Sequence, residues 1–374
     1  MRNRIIVLLL TAAMLLSSFS FVYANEEVDF NYSDAKFLDS LGIMQLMDEG
    51  EYSKYITRED FAYSTAKLMG LEGTSSTRYY TDLRAEGYAF GYINELAEVG
   101  VLSPSANDTF RPFDYITFDE AYKMLVTVLG YAPVANIRGG YPRGYNLIAR
   151  TLKINEGDST GNVTVANAVN MIYNVLKTCP YEVSRISEDG TTYYEGDDIY
   201  ANSRFGLDYF EGTVRATHYG NLDDNNVLDA KTVKIGEETY GVSQSFDERE
   251  VLGSYAEFFC TDDIKSEIVY MKEITREEKI VIDIKNYVGY ENNTVEYYQN
   301  VSDSKTLKRT LEANNIIYNG LPLRSQIRET LASLNKGTIT LKDTDDNGKY
   351  DVMDIKDYKN FYIKTNFGRI SFKL

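Results

Sequence analysis

Three times in the first half of the chain a β-branched residue and a threonine open an amphipathic segment: Ile56-Thr57-Arg58-Glu59-Asp60-Phe61, Ile116-Thr117-Phe118-Asp119-Glu120-Ala121 and Val163-Thr164-Val165-Ala166-Asn167-Ala168. Each threonine is placed to N-cap a helix, its hydroxyl accepting one of the amide protons that the first turn leaves without a partner. A polar side chain follows three residues later. Asp60 and Glu120 come close to the capping-box pattern, and Asn167 is a weaker version of it. Apolar residues then recur on one face of a 3.6-residue period: Phe61, Leu68 and Met69; Ala121, Leu125, Val128 and Leu129; Ala168, Ile172, Val175 and Leu176. Thr65 is the one polar intrusion in that stripe.

A second, shorter helical pattern precedes each cap and ends in a turn. It runs from Phe37 to Ile43 in the first repeat, from Ile93 to Leu102 in the second and from Ala149 to Ile154 in the third. Gly42 and Gly100 suit a left-handed helix C-terminus, whereas Lys153 stands at the same place with a β-carbon that disfavours it. Each unit thus reads as helix, turn, extended loop and capped helix, too short to bury its own apolar faces, so three must stack. The expected class is α+β: an all-α bundle of three repeats around a pseudo-threefold axis, then a β-rich antiparallel region.

These repeats resemble S-layer homology domains, the modules that fix exported bacterial proteins to the cell wall. The second copy is the clearest, with Tyr80-Thr81-Asp82-Leu83 at its start, Phe110-Arg111-Pro112 before the cap and Ile116-Thr117 at the cap. The third carries Gly140-Tyr141-Pro142-Arg143-Gly144-Tyr145, similar to the third module of clostridial-type members, and the first has Thr57-Arg58-Glu59-Asp60 in place of the family's Thr-Arg-Ala-Glu signature. The resemblance implies modules at residues 25–75, 76–132 and 133–180. It also implies a cell-surface location in a Gram-positive bacterium, with a secondary cell-wall polysaccharide, in some cases pyruvylated, as ligand and other surface-layer proteins as further partners. On this reading Arg58 meets an acidic sugar group, Asp82 and Arg111 hold or line the loop, and Tyr88 and Tyr141 stack on sugar rings. The other reading makes Arg58 a solvated first-turn arginine, Asp82 and Arg111 loop ties, and the tyrosines core residues. Phe118 and Val165 occupy the Arg58 position in the other copies, so one groove at most keeps the charge.

Arg2 and Arg4 precede an apolar run from Ile5 to Leu16 and then Val22-Tyr23-Ala24, the pattern of a secretory signal at residues 1–24. A membrane anchor is the competing reading of that stretch, and no later segment reaches eighteen apolar residues. Net charge is −17, and removal of the leader with its two arginines lowers it to −19. That balance opposes nucleic-acid binding. Export would permit a disulfide between Cys179 and Cys260, with two buried thiols as the alternative, and His218, the sole histidine, leaves no zinc spacing.

Beyond Cys179 short runs rich in Val, Ile, Thr and Tyr alternate between Gly, Asn and Asp clusters, which predicts two β-rich segments, residues 181–275 and 276–374. Only Ser325 to Leu334 reads as helical there. Asp343, Asp345, Asn347 and Asp351 follow the oxygen spacing of a calcium loop, with Gly348 at its sharp turn, but strand-like flanks favour a plain turn at Asn347-Gly348 and no cofactor. No nucleophile elbow, zinc motif or phosphate loop is present, which points to a non-enzymatic role. A wall hydrolase using two carboxylates from residues 181–374 is the alternative.

Overall fold

The computed structural model describes residues 31–374 except 104–106, 156, 158, 188–189, 244–250, 264–265, 275–278, 345–346, 359–361, 367–368 and 374. The leader read at residues 1–24 lies outside the described residues. The chain divides into two compact units, residues 1–197 and 198–374, mixed α and β with the strands concentrated in the second.

In the first unit the helices are α1 (Tyr32–Ser40), α2 (Arg58–Leu68), α3 (Phe90–Glu98), α4 (Phe118–Val128), α5 (Ala132–Ile137), α6 (Arg143–Thr151) and α7 (Val165–Leu176). Thr57, Thr117 and Thr164 each cap the following helix through the amide three residues on. Reciprocal boxes close at Glu120 and at Asn167. Asp60, one methylene shorter than Glu120, instead accepts from the Thr57 hydroxyl at 2.5 Å and from Tyr88. Gly42 and Gly100 take left-handed φ of 69° and 80°, and Lys153 adopts the same conformation at 53° despite its β-carbon.

The stripes predicted from sequence form the core: Phe61, Thr65, Leu68, Leu125, Ile172 and Leu176 have no exposed surface, and Thr65 satisfies its hydroxyl on the Phe61 carbonyl at 2.8 Å. Fully burying one such apolar side chain contributes about 1.5–3 kcal/mol. Each first helix packs on the capped helix of a different repeat: α1 on α7, α3 on α2 and α6 on α4. The strands before the caps bond in a ring, Ile56 N to Val163 O (3.0 Å), Val163 N to Ile116 O (2.9 Å) and Ile116 N to Ile56 O (3.2 Å). A hairpin of β1 (Tyr181–Ser187) and β2 (Gly190–Glu195) belongs to this unit rather than to the β-rich part, because Tyr181 donates its amide to Leu129 O at 2.7 Å and stacks on Tyr131.

The second unit opens with α8 (Tyr200–Phe205), a short helix that the sequence pattern did not signal. A closed barrel follows, in the order β3 (Leu207–Ala216), β4 (Thr232–Ile235), β5 (Glu238–Val242), β7 (Glu267–Glu273), β6 (Tyr255–Thr261). Next come β8 (Ile280–Asp283), β9 (Tyr287–Glu291), β10 (Thr294–Tyr297), β11 (Leu307–Tyr318), β12 (Leu321–Pro322), α9 (Ile327–Ala332), β13 (Gly337–Lys342) and β14 (Tyr350–Asp357). These strands form one sheet in the order β8-β13-β14-β11-β10-β9 with β12 on β11, and β15 (Tyr362–Asn366) pairs with β16 (Arg369–Lys373). The expectation of a purely antiparallel region is corrected at two places, since β11 runs parallel to β14 and β5 to β7. Both pairs are separated in sequence by intervening strands, which gives the chain the length a parallel return requires. Cys179 and Cys260 are free thiols, and burial pushes the Cys260 thiol up to about 11. No helix among the described residues is long and apolar enough to cross a membrane.

Candidate functional site

Each capped helix seats its first amides on a loop from another repeat. Arg58 N and Glu59 N donate to Asp114 O (2.9 Å) and Pro112 O (3.1 Å), Phe118 N to Gly161 O (3.1 Å), and Val165 N and Ala166 N to Lys54 O and Tyr52 O (both 2.9 Å). These bonds supply partners for donors that a helix start otherwise leaves open. They also turn the first side chain of each helix into the joint, where Phe118 and Val165 are buried.

At the Arg58 joint this burial encloses a charge. Arg58 is 9% exposed, which corrects the solvated reading. Its Nε donates to Phe110 O at 2.8 Å, and its guanidinium lies over the Phe110 ring at 5.0 Å. Its Nη1 is 2.6 Å from Glu120 Oε1, an ion contact whose angle falls outside hydrogen-bond geometry. The same carboxylate oxygen receives Arg111 Nη2 at 2.7 Å, and the other accepts the Thr117 amide and hydroxyl, both at 3.1 Å. Burial raises the Glu120 carboxyl, but the Thr117 amide, Arg58, the Thr117 hydroxyl and Arg111 together outweigh it and hold the group below its ordinary value.

Asp82 shapes the loop from behind, its two oxygens accepting Phe110 N and Arg111 N at 2.7 Å each. It is a loop tie, and through it the Phe110 carbonyl and Arg111, whose φ is 61°, face Arg58 and Glu120. Arg111 is half exposed and also touches the exposed Asp114 at 3.5 Å. Tyr141 is half exposed within electrostatic reach of Glu120, Asp119, Arg58 and Arg111, and Lys123 lies over its ring at 5.4 Å. Four residues from three repeats therefore converge: Arg58, Arg111, Glu120 and Tyr141. The cluster combines half-exposed donors, a neighbouring ring and a buried guanidinium, a set whose chemistry suits a carboxylate.

Tyr88 is not part of it. Its hydroxyl donates to Asp60 and its ring meets Tyr63 edge-on at 5.4 Å, a separate exposed aromatic corner. Sequence reasoning assigned Glu120 only to its cap and passed over Phe110 and Lys123. The capping glutamate's second oxygen was the signal, since a box uses one oxygen and leaves the other to neighbours.

In the acidic loop Asp343 accepts from Asn347 N (3.3 Å) and Gly348 N (2.8 Å), while Asp351 accepts the Thr344 amide and hydroxyl at 2.7 and 2.8 Å. Gly348 takes φ of 80°. Asn347 stays out of the left-handed region, so a two-residue Asn-Gly hairpin gives way to a wider loop closed by carboxylates. Asp345 lies outside the described residues. Among the described residues no cluster of three or more His, Cys, Asp or Glu stands ready for a metal ion.

The S-layer homology domain model matches residues 79–121, the copy with the clearest motifs and the one that supplies Phe110, Arg111 and Glu120. Over 316 residues the chain is 25% identical to the middle cell wall protein of Brevibacillus brevis, covering 76% of this chain and 29% of that protein. It is also 25% identical over 280 residues to the surface layer protein of Brevibacillus choshinensis, covering 66% of this chain and 24% of the other. The chain thus spans less than a third of the length of these relatives. Residues 79–121 match the S-layer homology domain, within a chain similar over most of its length to bacterial cell-wall and surface-layer proteins.

Proposed function

We propose that this chain is a secreted, non-enzymatic surface protein whose three repeats act as one pseudo-threefold anchor for a secondary cell-wall polysaccharide and display the β-rich unit outside the wall. The observation that carries the reading is the pairing of Arg58 and Arg111 on the one carboxylate of Glu120, with the half-exposed Tyr141 in their neighbourhood. The ring of backbone bonds among the three caps supports a single anchor over three independent modules. The wall and surface-layer names of the relatives agree with it.

One charged groove is proposed, because Phe118 and Val165 bring no cation to the other two joints. The acid, such as a pyruvyl group, would approach from solvent through Arg111 and Tyr141, with Arg58 and Phe110 as the buried wall behind them. Asp82 would act by holding the loop in place, not by touching sugar. The test is sedimentation of the full chain with purified walls before and after chemical removal of the secondary polysaccharide. Retention should disappear with the polysaccharide and fall about tenfold in Arg111→Ala, the loss of one charge-assisted contact. Equal retention on stripped walls would refute the anchor.

A further inference from the structure

Within the second unit the barrel and the sheet meet in a joint with an apolar centre. That centre is one buried cluster, Leu222 and Leu252 from the barrel side with Ile317 of β11 and Val352 of β14. Two bodies joined in sequence hinge by default unless the contact between them is extensive and apolar. We propose that this joint locks barrel and sheet into one rigid body, with Arg324 as the latch that closes its rim. The inference stands on the second unit alone and does not rest on the anchor reading.

Two glycines set how closely the bodies approach. Gly220, in the loop after β3, lies so near β12 that a β-carbon on it would stand 2.3 Å from Cδ and 2.7 Å from Cγ of Pro322. Its φ is outside the left-handed region, so the neighbouring body and not a turn accounts for the missing side chain. Gly253, just before β6, has φ of 73°, and a β-carbon there would lie 2.5 Å from Cδ1 of Ile317 and 3.1 Å from Cγ1 of Val352. Both approaches cross from barrel to sheet. A surface packed that closely transmits a displacement instead of absorbing it.

Polar contacts surround the apolar centre. Lys342 of β13, with a side chain 11% exposed, donates to Ser254 Oγ at 3.1 Å and to Glu273 Oε1 at 3.3 Å across the joint, and Asp354 of its own sheet stands at 3.8 Å. Parting the bodies would strip this largely buried ammonium of its partners. At the rim the loop after β3 folds on itself. Asn221 Oδ1 accepts Asp223 N at 2.8 Å, and Asn221 Nδ2 donates to Asp224 Oδ1 at 2.8 Å and to Asn226 O at 2.9 Å. The Asn221 and Asp224 carbonyls thereby converge, and Nη2 of Arg324, just past β12, donates to both at 2.5 Å. A guanidinium NH2 group carries two hydrogens, one for each carbonyl. Arg324 is exposed, so no core packing depends on it. The lock crosses residue 275, where the strand pattern divides the two β-rich segments, and makes two architectures one mechanical body.

Hydrogen exchange of the full chain in rising urea, read by mass spectrometry, tests the coupling, because elements that open as one unit lose protection together. In the parent, peptides covering β6 and β14 should share one midpoint. Gly220→Ala, which drives a methyl group into Pro322, should separate the two midpoints, and adding Pro322→Ala, which removes the ring atoms it meets, should rejoin them. Should Gly220→Ala fail to fold, Arg324→Ala carries the test without disturbing the core. Exchange in residues 217–229 should then speed up at least threefold without denaturant, while the helices of the first unit keep their rates. Different midpoints in the parent, a common midpoint kept in Gly220→Ala, or loop exchange indifferent to Arg324→Ala would each overturn the inference.

Discussion

Glu120 shows how much one side chain can be asked to do when a helix cap lies at a joint between repeats. One oxygen closes the Thr117 box and the other holds two arginines. Removing Arg58, the buried partner, should therefore cost stability as well as binding: Arg58→Ala is expected to lose about 2–3 kcal/mol, somewhat below the cost of breaking a fully buried pair. Arg111→Ala, at an exposed position, should lose about 1 kcal/mol or less. Urea unfolding of the two variants checks the contrast. The same carboxylate predicts acid sensitivity. Its folded pKa is depressed, so its contribution is complete above the unfolded value of about 4.3 and is lost as pH falls through the lower folded value. The melting-temperature gap between the parent and Glu120→Gln should shrink from pH 7 to pH 3; a constant gap would show that the charge plays no part.

At the scale of elements, the threonine caps were legible because capping depends on a side chain and an amide three residues apart, all within one turn. The closing of each box was less so. Asp60 has the right charge but the shorter side chain, and Asn167 closes a box that its weaker pattern understated. Lys153 is the instructive deviation, holding at φ 53° a turn that Gly42 and Gly100 make without strain. Lys153→Gly should stabilise the chain by about 0.5–1 kcal/mol, the left-handed penalty reduced by glycine's greater freedom when unfolded. Thermal or chemical melting measures it, and a destabilised variant would mean that the lysine side chain contributes packing that outweighs its strain.

For the molecule as a whole, we propose that the β-rich unit is held by its own sheets and barrel without the help of an ion. Asp343 and Asp351 already accept loop amides, which offsets the repulsion that a cation would otherwise relieve. Melting in millimolar calcium and in chelator should therefore agree within a degree, whereas a specific site would raise the temperature with the logarithm of free calcium. A calcium-dependent rise abolished by Asp343→Asn would reverse that conclusion.

What the sequence alone determined were the features carried by short-range spacing: three capped helices, their apolar stripes, the strands of the second half and the motif-rich second repeat. Periodicity and capping are written within one or two turns, so they survive without knowledge of neighbours. Tertiary structure decided the rest. Only packing could show that α1, α3 and α6 lie on capped helices of other repeats, that Arg58 is buried against Phe110 and Glu120, or that β11 and β14 run parallel. Those outcomes depend on which distant surfaces meet, and neighbours that far apart in sequence leave no local periodic trace in the chain.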